Sequence, residues 1–365
     1  MLTKSEFAAR ILSGHTTSIK EKATAFAPAN IALVKYWGKR DSRLNLPVTD
    51  SLSIDLGNLG TTTTVEPADH DIVILNGTQL SGDDKFAAKV INFADLFRGA
   101  LNQKGQELPA LKITTENNIP TGAGVASSAS GFAALTKALD SFFSLGLAGR
   151  ELSLLANLGS GSASRSIFKG FVYRHAGTDP DGMDSYSESL PFTWPNLRIG
   201  LVTVSEKAKR VSSRDGMKRT LETSPLYKAW PQQVQNDMAK MLKAIKKQDF
   251  VLLGSTAEAN ALAMHACMQA ATPPLNYFEP ETEAIIQKVQ TLRKSGLPLY
   301  LTIDAGPNVK LLYLEQDEDK VKSQFPDMRI VIPFTTSYFL SPSEISALRQ
   351  ANKESRRIAQ KILGY

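Results

Sequence analysis

Residues 119–142 read IPTGAGVASSASGFAALTKALDSF, and the organisation of the chain turns on this stretch. Just ahead of it, Leu111, Ile113 and Thr115 alternate as a short strand that ends at Asn117-Asn118. Within it, Gly122 and Gly124 loosen the backbone, and Phe132, Leu135, Leu139 and Phe142 recur at helical spacing behind Ser127 and Ser128. A strand, a glycine loop and a helix opening on two serines form an anion-binding arrangement. Unpaired amides and the positive end of the helix dipole attract phosphate, and hydroxyls bond its oxygens or hold a magnesium ion. The loop has neither the GxxxxGKS/T pattern of the common nucleotide loop nor a GxGxxG fingerprint. Small residues at a helix start also serve tight packing, so this loop alone does not decide between the two uses.

Outward from this loop, strands and helices mix irregularly. Residues 51–66 (SLSIDLGNLGTTTTVE) alternate around a glycine-containing turn and predict a hairpin, and Ile72–Leu75 followed by Asn76-Gly77 predicts another. Residues 83–101 and 150–158 carry helical patterns, the second running into Gly159-Ser160-Gly161-Ser162-Ala163-Ser164-Arg165-Ser166. That loop repeats the anion-binding logic and adds an arginine, whose planar fork suits carboxylate or phosphate. The plain alternative is a serine-capped helix start with a solvated arginine. Prolines 180, 191 and 195 punctuate a polar stretch, and a domain boundary is expected near 195. Beyond it come strands at 199–204, 297–303 and 330–334, helices near 225–247, 249–270 and 280–295, and a last helix started by Ser341, Pro342 and Glu344. The expected fold class is therefore α+β in two domains, without regular βαβ alternation. An extension of about 23 residues precedes the first domain (24–194), the second spans 195–365, and the extension receives no role.

Composition narrows the classes. The 365 residues carry 42 Lys and Arg against 36 Asp and Glu, a formal charge of +6, with 42% hydrophobic residues. This is ordinary for a globular chain and too apolar for a disordered one. The single cysteine, Cys267, excludes an internal disulfide and a cysteine-rich zinc site. No apolar run reaches membrane-spanning length, and Lys4, Glu6 and Arg10 interrupt any signal-like segment, so a cytoplasmic protein without membrane contact is expected. Positive charge gathers in Lys35, Lys39, Arg40 and Arg43, and again in Lys207, Lys209, Arg210, Arg214, Lys218 and Arg219. Such runs are either solvated faces or sites for anions. They lack interleaved aromatics beyond Tyr36 and Trp37, which argues against nucleic acid as the partner. The four histidines are scattered, no metal-ligand cluster is visible, and His265 and Cys267 read as packing residues. Asp304, directly after the apolar run Leu299–Ile303 and before Gly306-Pro307, is either a turn former or a carboxylate facing a cleft, where it could act as a base or orient a hydroxyl.

Five segments together resemble the diphosphomevalonate decarboxylases: Asn30-Ile-Ala-Leu-Val-Lys35-Tyr36-Trp37-Gly38-Lys39-Arg40, the Pro120–Ser128 loop, GSGSASRS, Ser212-Ser213-Arg214-x-Gly216-Met217 and Asp304-Ala-Gly-Pro-Asn308. These enzymes belong to the superfamily of galactokinase, homoserine kinase, mevalonate kinase and phosphomevalonate kinase. The resemblance spans residues 24 to about 335, in family order. It implies a ribosomal-protein-like N-terminal domain, a ferredoxin-like C-terminal domain and a site between them. The reaction it implies uses ATP and Mg2+: the tertiary hydroxyl of mevalonate 5-diphosphate is phosphorylated, then phosphate and carbon dioxide leave, giving isopentenyl diphosphate. By match to the motifs, Asp304 would orient or deprotonate that hydroxyl, Lys35 would keep Asp304 ionised, and Ser213 would lie beside the reacting centre. Arg165 would hold the substrate carboxylate, with Tyr36, Lys39, Ser160, Ser162 and Arg214 completing the pocket for the carboxylate end and the diphosphate. Gly122, Gly124, Val125, Ala126, Ser127 and Ser128 would cradle the ATP phosphates. A small anionic substrate, a homodimer and no nucleic-acid partner complete the expectation. Thr49 and Tyr173-Arg174 depart from the family pattern, where Asn and Glu-Trp are usual. A related kinase or decarboxylase acting on mevalonate or its monophosphate is the alternative, and an RNA-binding protein a remote one.

Overall fold

A computed structural model describes residues 2–102, 108–119, 127–207 and 210–334. Gly122, Gly124, Val125 and Ala126, as well as Lys209 and the helix expected after Ser341, lie outside the described residues. The chain opens with α1 (Lys4–Leu12), started by a capping box in which Thr3 and Glu6 satisfy each other's backbone amides. The first body then runs β1 (Ala23–Val34), β2 (Lys39–Asp41), β3 (Leu46–Pro47), β4 (Ser51–Ala68), β5 (Ile72–Leu75), β6 (Thr78–Gln79), α2 (Lys85–Asn102), β7 (Ala110–Asn117), α3 (Ser127–Phe142), α4 (Gly149–Gly159), α5 (Ala163–Ser166), β8 (Phe171–Arg174) and β9 (Ser187–Ser189). Its main sheet has the order β6-β5-β7-β4-β8-β9, and β1 also pairs with β4. The second body contains β10 (Leu197–Val202), α6 (Ser213–Thr223), α7 (Trp230–Lys247), α8 (Phe250–Gln269), α9 (Pro280–Lys294), β11 (Tyr300–Ile303), β12 (Val309–Leu314), α10 (Glu318–Gln324) and β13 (Arg329–Val331). Its four strands are ordered β11-β12-β10-β13. This is the two-domain α+β architecture expected.

Two expectations need correction. Residues 51–66 do not form a hairpin but one long strand, β4. Gly57 takes positive φ, yet the chain does not reverse there. The register against β1 jumps from Pro28↔Gly60 to Asn30↔Asp55, so the extra residues are absorbed as an irregularity. Glycine in an alternating strand marks a bulge as readily as a turn, and pairing on both edges of β4 selects the bulge. The N-terminal extension is likewise not a mere polar lead-in. Phe7, Ala8, Ile11 and Leu12 of α1 are buried in the same core as Phe93, Phe97 and Leu101 of α2. Asn76-Gly77 does turn the β5–β6 hairpin, both residues at positive φ.

The two bodies share a core. One apolar cluster takes Ile31, Leu33 and Trp37 from the first and Trp230, Leu253, Ala257 and Met264 from the second. Helix α8 has little amphipathic character because it is covered on more than one side, packing on β1 and β11, with Gly254 lying against Tyr300. The turn after β1 is gripped from the second body: Tyr227 Oη and Trp230 Nε1 both donate to the Trp37 carbonyl, at 3.0 and 3.1 Å. Gly38 follows at φ 103°, where a Cβ would sit 1.8 Å from Tyr227 Oη. Gly38→Ala therefore adds backbone strain and overpacking, and we expect it to cost about 2–4 kcal/mol of stability. In a Tyr227→Phe background, where the clashing hydroxyl is gone, the cost should shrink; denaturant titration of the single and double variants checks both statements.

Candidate active site

A cavity of about 510 Å³ lies between the two bodies. Lys35, Tyr36 and Lys39 reach it from the segment after β1; Ser160, Ser162 and Arg165 from the loop after α4 and from α5; Ser128 from the start of α3; Ser213 and Arg214 from the first turn of α6; and Asp304 from the end of β11. Nearly every site residue expected from the sequence that falls among the described residues thus lines one cavity. Ser127 is displaced, lining an adjoining cavity of about 370 Å³ that shares Ser128 and Lys89 with the first.

At one end sits a carboxylate between two buried lysines. Lys35 Nζ lies 2.8 Å from Asp304 Oδ1, and Lys310 Nζ lies 3.6 Å from Oδ2. Lys35 is fixed on both ends: its Nζ also donates to the Ala32 carbonyl at 2.7 Å, and its amide donates to Asn260 Oδ1 at 2.8 Å. Burial lowers Lys35 to about 8 although Asp304 opposes the shift, and burial lowers Lys310 as well. The Asp304 carbonyl accepts from His265 Nε2 at 3.1 Å, so that nitrogen carries the proton. Burial and the Lys35 charge push His265 down to about 3, keeping it neutral. Asn308 holds the far side of the turn, accepting from the amides of Val204 and Ser205 and donating to the Ser205 carbonyl.

A second group in the lining is built for an anion. Arg165 is buried, donating Nε to Asn30 Oδ1 at 3.3 Å and Nη1 to Ser51 Oγ at 3.0 Å. Among the described residues it has no carboxylate partner, and burial together with Arg174 holds its guanidinium well below the usual value. Arg174 lies behind it, fully buried, donating to the Gly161 and Asn45 carbonyls and to Asn157 Oδ1. The guanidinium of Arg174 lies 4.6 Å from the Tyr36 ring centroid and that of Arg165 5.9 Å. Gly161 permits this packing, since a Cβ there would lie 2.5 Å from Tyr36 Oη. Ser160 Oγ lies 3.4 Å from Ser128 Oγ and 3.3 Å from Ser162 Oγ, joining the two glycine-serine loops through hydroxyls. Lys39 Nζ donates to Asn45 Oδ1 at 2.7 Å; burial and the neighbouring Arg214 lower it to about 8.

Sequence reasoning missed Lys310, His265, Arg174 and Lys89. Lys310 was visible as the one charge inside the apolar strand VKLLYL, and Arg174 as an arginine closing the buried strand FVYR. His265 carried no such signal, because its partner is a backbone carbonyl 39 residues away. The basic runs also split. Lys35, Lys39 and Arg214 face the cavity, whereas Arg40 ties down the Ala176 and Asp179 carbonyls and Arg43 pairs with Asp41.

This fold and cavity define a two-domain enzyme of the small-molecule kinase superfamily. Residues 27–187 match the diphosphomevalonate decarboxylase-like N-terminal domain, and residues 199–362 the mevalonate 5-diphosphate decarboxylase C-terminal domain. Diphosphomevalonate decarboxylase of Gibberella zeae is 39% identical over 83% of this chain and 84% of its own length, and that of Candida albicans 38% over 82% and 86%. The solved mevalonate diphosphate decarboxylase of Staphylococcus aureus superposes with TM-score 0.80 at 35% identity, covering 87% of this chain and 96% of that one. A solved complex of MDDEF with MVAPP, AMPPCP and magnesium gives TM-score 0.78 at 38% identity, over 85% and 96%. The chain belongs to the diphosphomevalonate decarboxylase family.

The Lys35 shift has opposite consequences for activity and stability. Above about pH 8 the lysine loses its proton and the ion pair to Asp304 weakens, so kcat should fall on the alkaline side with an apparent pKa near 8. Between about 8 and 10.5 the unfolded chain binds the proton that the folded chain has released, so stability should rise with pH relative to Lys35→Met, which has nothing to titrate there. A pH–rate profile and paired denaturation curves test the two signs.

Proposed function

We propose that the chain catalyses the ATP-dependent decarboxylation of mevalonate 5-diphosphate to isopentenyl diphosphate, ADP, phosphate and carbon dioxide. One observation carries this reading: a buried arginine that has no carboxylate partner among the described residues shares a cavity with a carboxylate held between two lysines. An acid and an alcohol on one small molecule need that pair. Asp304 takes or orients the proton of the tertiary hydroxyl, whose oxygen attacks the terminal phosphorus of ATP while the bond from that phosphorus to the ADP oxygen breaks and ADP leaves; Ser213 lines the same cavity. Lys35 and Lys310 balance the Asp304 charge. Arg165 holds the carboxylate out of water, and Tyr36, Lys39, Ser160, Ser162 and Arg214 take the carboxylate end and the diphosphate. The phosphorylated oxygen then leaves as phosphate while the bond to the carboxylate carbon breaks; its electron pair forms the alkene and carbon dioxide departs. Donor groups around the cavity stabilise the charge that develops on the leaving phosphate.

The adjoining cavity is lined by Leu75, Val90, Ile113, Phe132 and Leu135, by Thr61, Thr63, Asn76, Thr115 and Asn117, and by Ser127, Ser128 and Lys89, the last two shared with the first cavity. A chamber of apolar and hydrogen-bonding side chains that shares Ser128 and Lys89 with the first cavity suits the nucleoside of ATP, with the phosphates running toward Ser128. Among the described residues no group of three His, Cys, Asp or Glu side chains could hold a metal. The hydroxyls of Ser127 and Ser128 therefore fit a magnesium ion carried mainly by the nucleotide. When bound, that ion supplies neutralisation of phosphate charge. We further read the chain as an extension 1–23, a nucleotide- and substrate-binding domain 24–194 and a domain 195–365 carrying Asp304. This division is supported by one sheet ending at Ser189 and the other starting at Leu197. A cytoplasmic homodimer accompanies the family reading; no helix among the described residues is long and apolar enough to cross a membrane.

Carbon dioxide release from mevalonate 5-diphosphate, with ATP and magnesium, tests the assignment. Comparable release from mevalonate or its 5-phosphate would move it to a relative of this reaction. Asp304→Asn keeps shape but cannot take a proton, so turnover should drop about 10²–10⁴-fold with both substrates still bound and no phosphorylated intermediate formed. Arg165→Lys keeps charge but loses the fork, and kcat/KM should fall by about 1–3 kcal/mol equivalent. Wild-type kinetics in this variant would remove Arg165 from the site.

A further inference from the structure

Helix α1 precedes the segment matched to the decarboxylase family, which begins at residue 27, and no step described above uses it. We propose that α1 belongs to the anion site and that Lys4 is a positioning and charge-supplying residue for the substrate diphosphate. The proposal rests on reading the cavity as a polyanion site and adds a residue to it.

The first observation is where the Lys4 side chain goes. Instead of extending into solvent, it crosses to the end of α4 and donates Nζ to the Leu158 carbonyl at 2.7 Å. Leu158 immediately precedes Gly159 and Ser160, which line the cavity. The same carbonyl accepts from Asn45 Nδ2 at 3.3 Å, and Asn45 Oδ1 accepts Lys39 Nζ at 2.7 Å. Lys4 is thus three hydrogen bonds from Lys39 along one chain of contacts that ends in the cavity. The second observation is charge. Lys4, Lys39, Lys89 and Arg214 form a group in which, among the described residues, none is paired with a carboxylate. The group repels itself: Lys39 is lowered in part by Arg214, Lys4 and Lys89, and Lys4 in part by Arg214 and Lys89. Four uncompensated cations destabilise the free protein and are relieved by a bound polyanion.

The third observation is that α1 is fastened to deliver this side chain. The Thr3–Glu6 capping box fixes the first turn, in which Lys4 is the first residue. Phe7, Ile11 and Leu12 anchor the inner face, and Arg10 Nη1 meets Asp181 Oδ2 at 2.6 Å. Covering apolar surface on α2 requires only that inner face. It does not require a lysine to give up its rotamer freedom beside three other cations.

Steady-state kinetics on the full chain bearing Lys4→Met or Lys4→Arg test the proposal. At low ionic strength Lys4→Met should raise KM for the diphosphate substrate about 5–20-fold with kcat within twofold. The gap should narrow at high salt, and Lys4→Arg should stay near wild type. A variant with lowered melting temperature but unchanged KM would make Lys4 purely structural and overturn the proposal, as would a rise in KM confined to ATP. Calorimetry with inorganic diphosphate keeps this test separate from the assigned reaction. Lys4→Met should bind it about 5–20-fold more weakly than wild type whether or not the chain turns over mevalonate 5-diphosphate. Equal affinity, or no diphosphate binding by the wild type, overturns the proposal.

Discussion

The ion pair between Lys35 and Asp304 spans the seam of the molecule. Lys35 follows β1, which pairs with the long strand β4 of the first body, and Asp304 follows β11, an edge strand of the second. Burying a lysine in this way is costly, and only its two acceptors, Asp304 and the Ala32 carbonyl, make the position tolerable. Much of the surrounding structure holds that pair in register. Asn260 fixes the Lys35 amide and is itself held by Asp237, His265 fixes the Asp304 carbonyl, and Lys310 occupies the second carboxylate oxygen. Because α8 supplies both Asn260 and His265, one helix sets the position of both partners. A shift of α8 would therefore misplace the lysine and the carboxylate together.

In the rest of the lining the logic is reversed. Here, among the described residues, positive charge is left without acidic partners and is offset by carbonyl dipoles, amide oxygens and aromatic faces. Arg174 is the clearest case: its charge is met by two carbonyls, one amide oxygen and the Tyr36 ring. Neutral acceptors hold a guanidinium in place without cancelling its field, so the wall remains attractive to an incoming anion. This gives the Tyr173-Arg174 pair a physical use in the site. Arg174 fixes the Gly161 loop with a positive group, and Tyr173 bonds Asp50 beside it.

Much of this was legible in the chain. Helical spacing in 83–101 and 127–142, the Asn-Gly hairpin and the irregular order of elements led to the correct class. The glycine-serine motifs, the Lys35–Lys39 segment and Asp304 marked residues that share one cavity. What escaped was of two kinds. The strand at 51–68 was broken into a hairpin because an isolated glycine looks the same at a bulge and at a turn until the neighbouring strands are known. His265, Asn260 and Asn45 act through backbone carbonyls and amides distant in sequence, and such partners leave no local pattern. The role of α1 escaped because Lys4 reads as an ordinary surface charge until its carbonyl partner on α4 is seen.

The hydroxyl row formed by Ser128, Ser160 and Ser162 has a kinetic implication. Each hydroxyl gives one hydrogen and accepts at two lone pairs, and it exchanges these functions by a single torsional rotation. Phosphoryl transfer relocates negative charge by a few ångströms, which a fixed amide or guanidinium can follow only by moving heavy atoms. A row of rotors can reverse its polarity on the timescale of side-chain rotation, far faster than turnover. On the function proposed above, the wall between donor and acceptor sites can thus remain matched to the charge before and after transfer, with the backbone that carries it at rest.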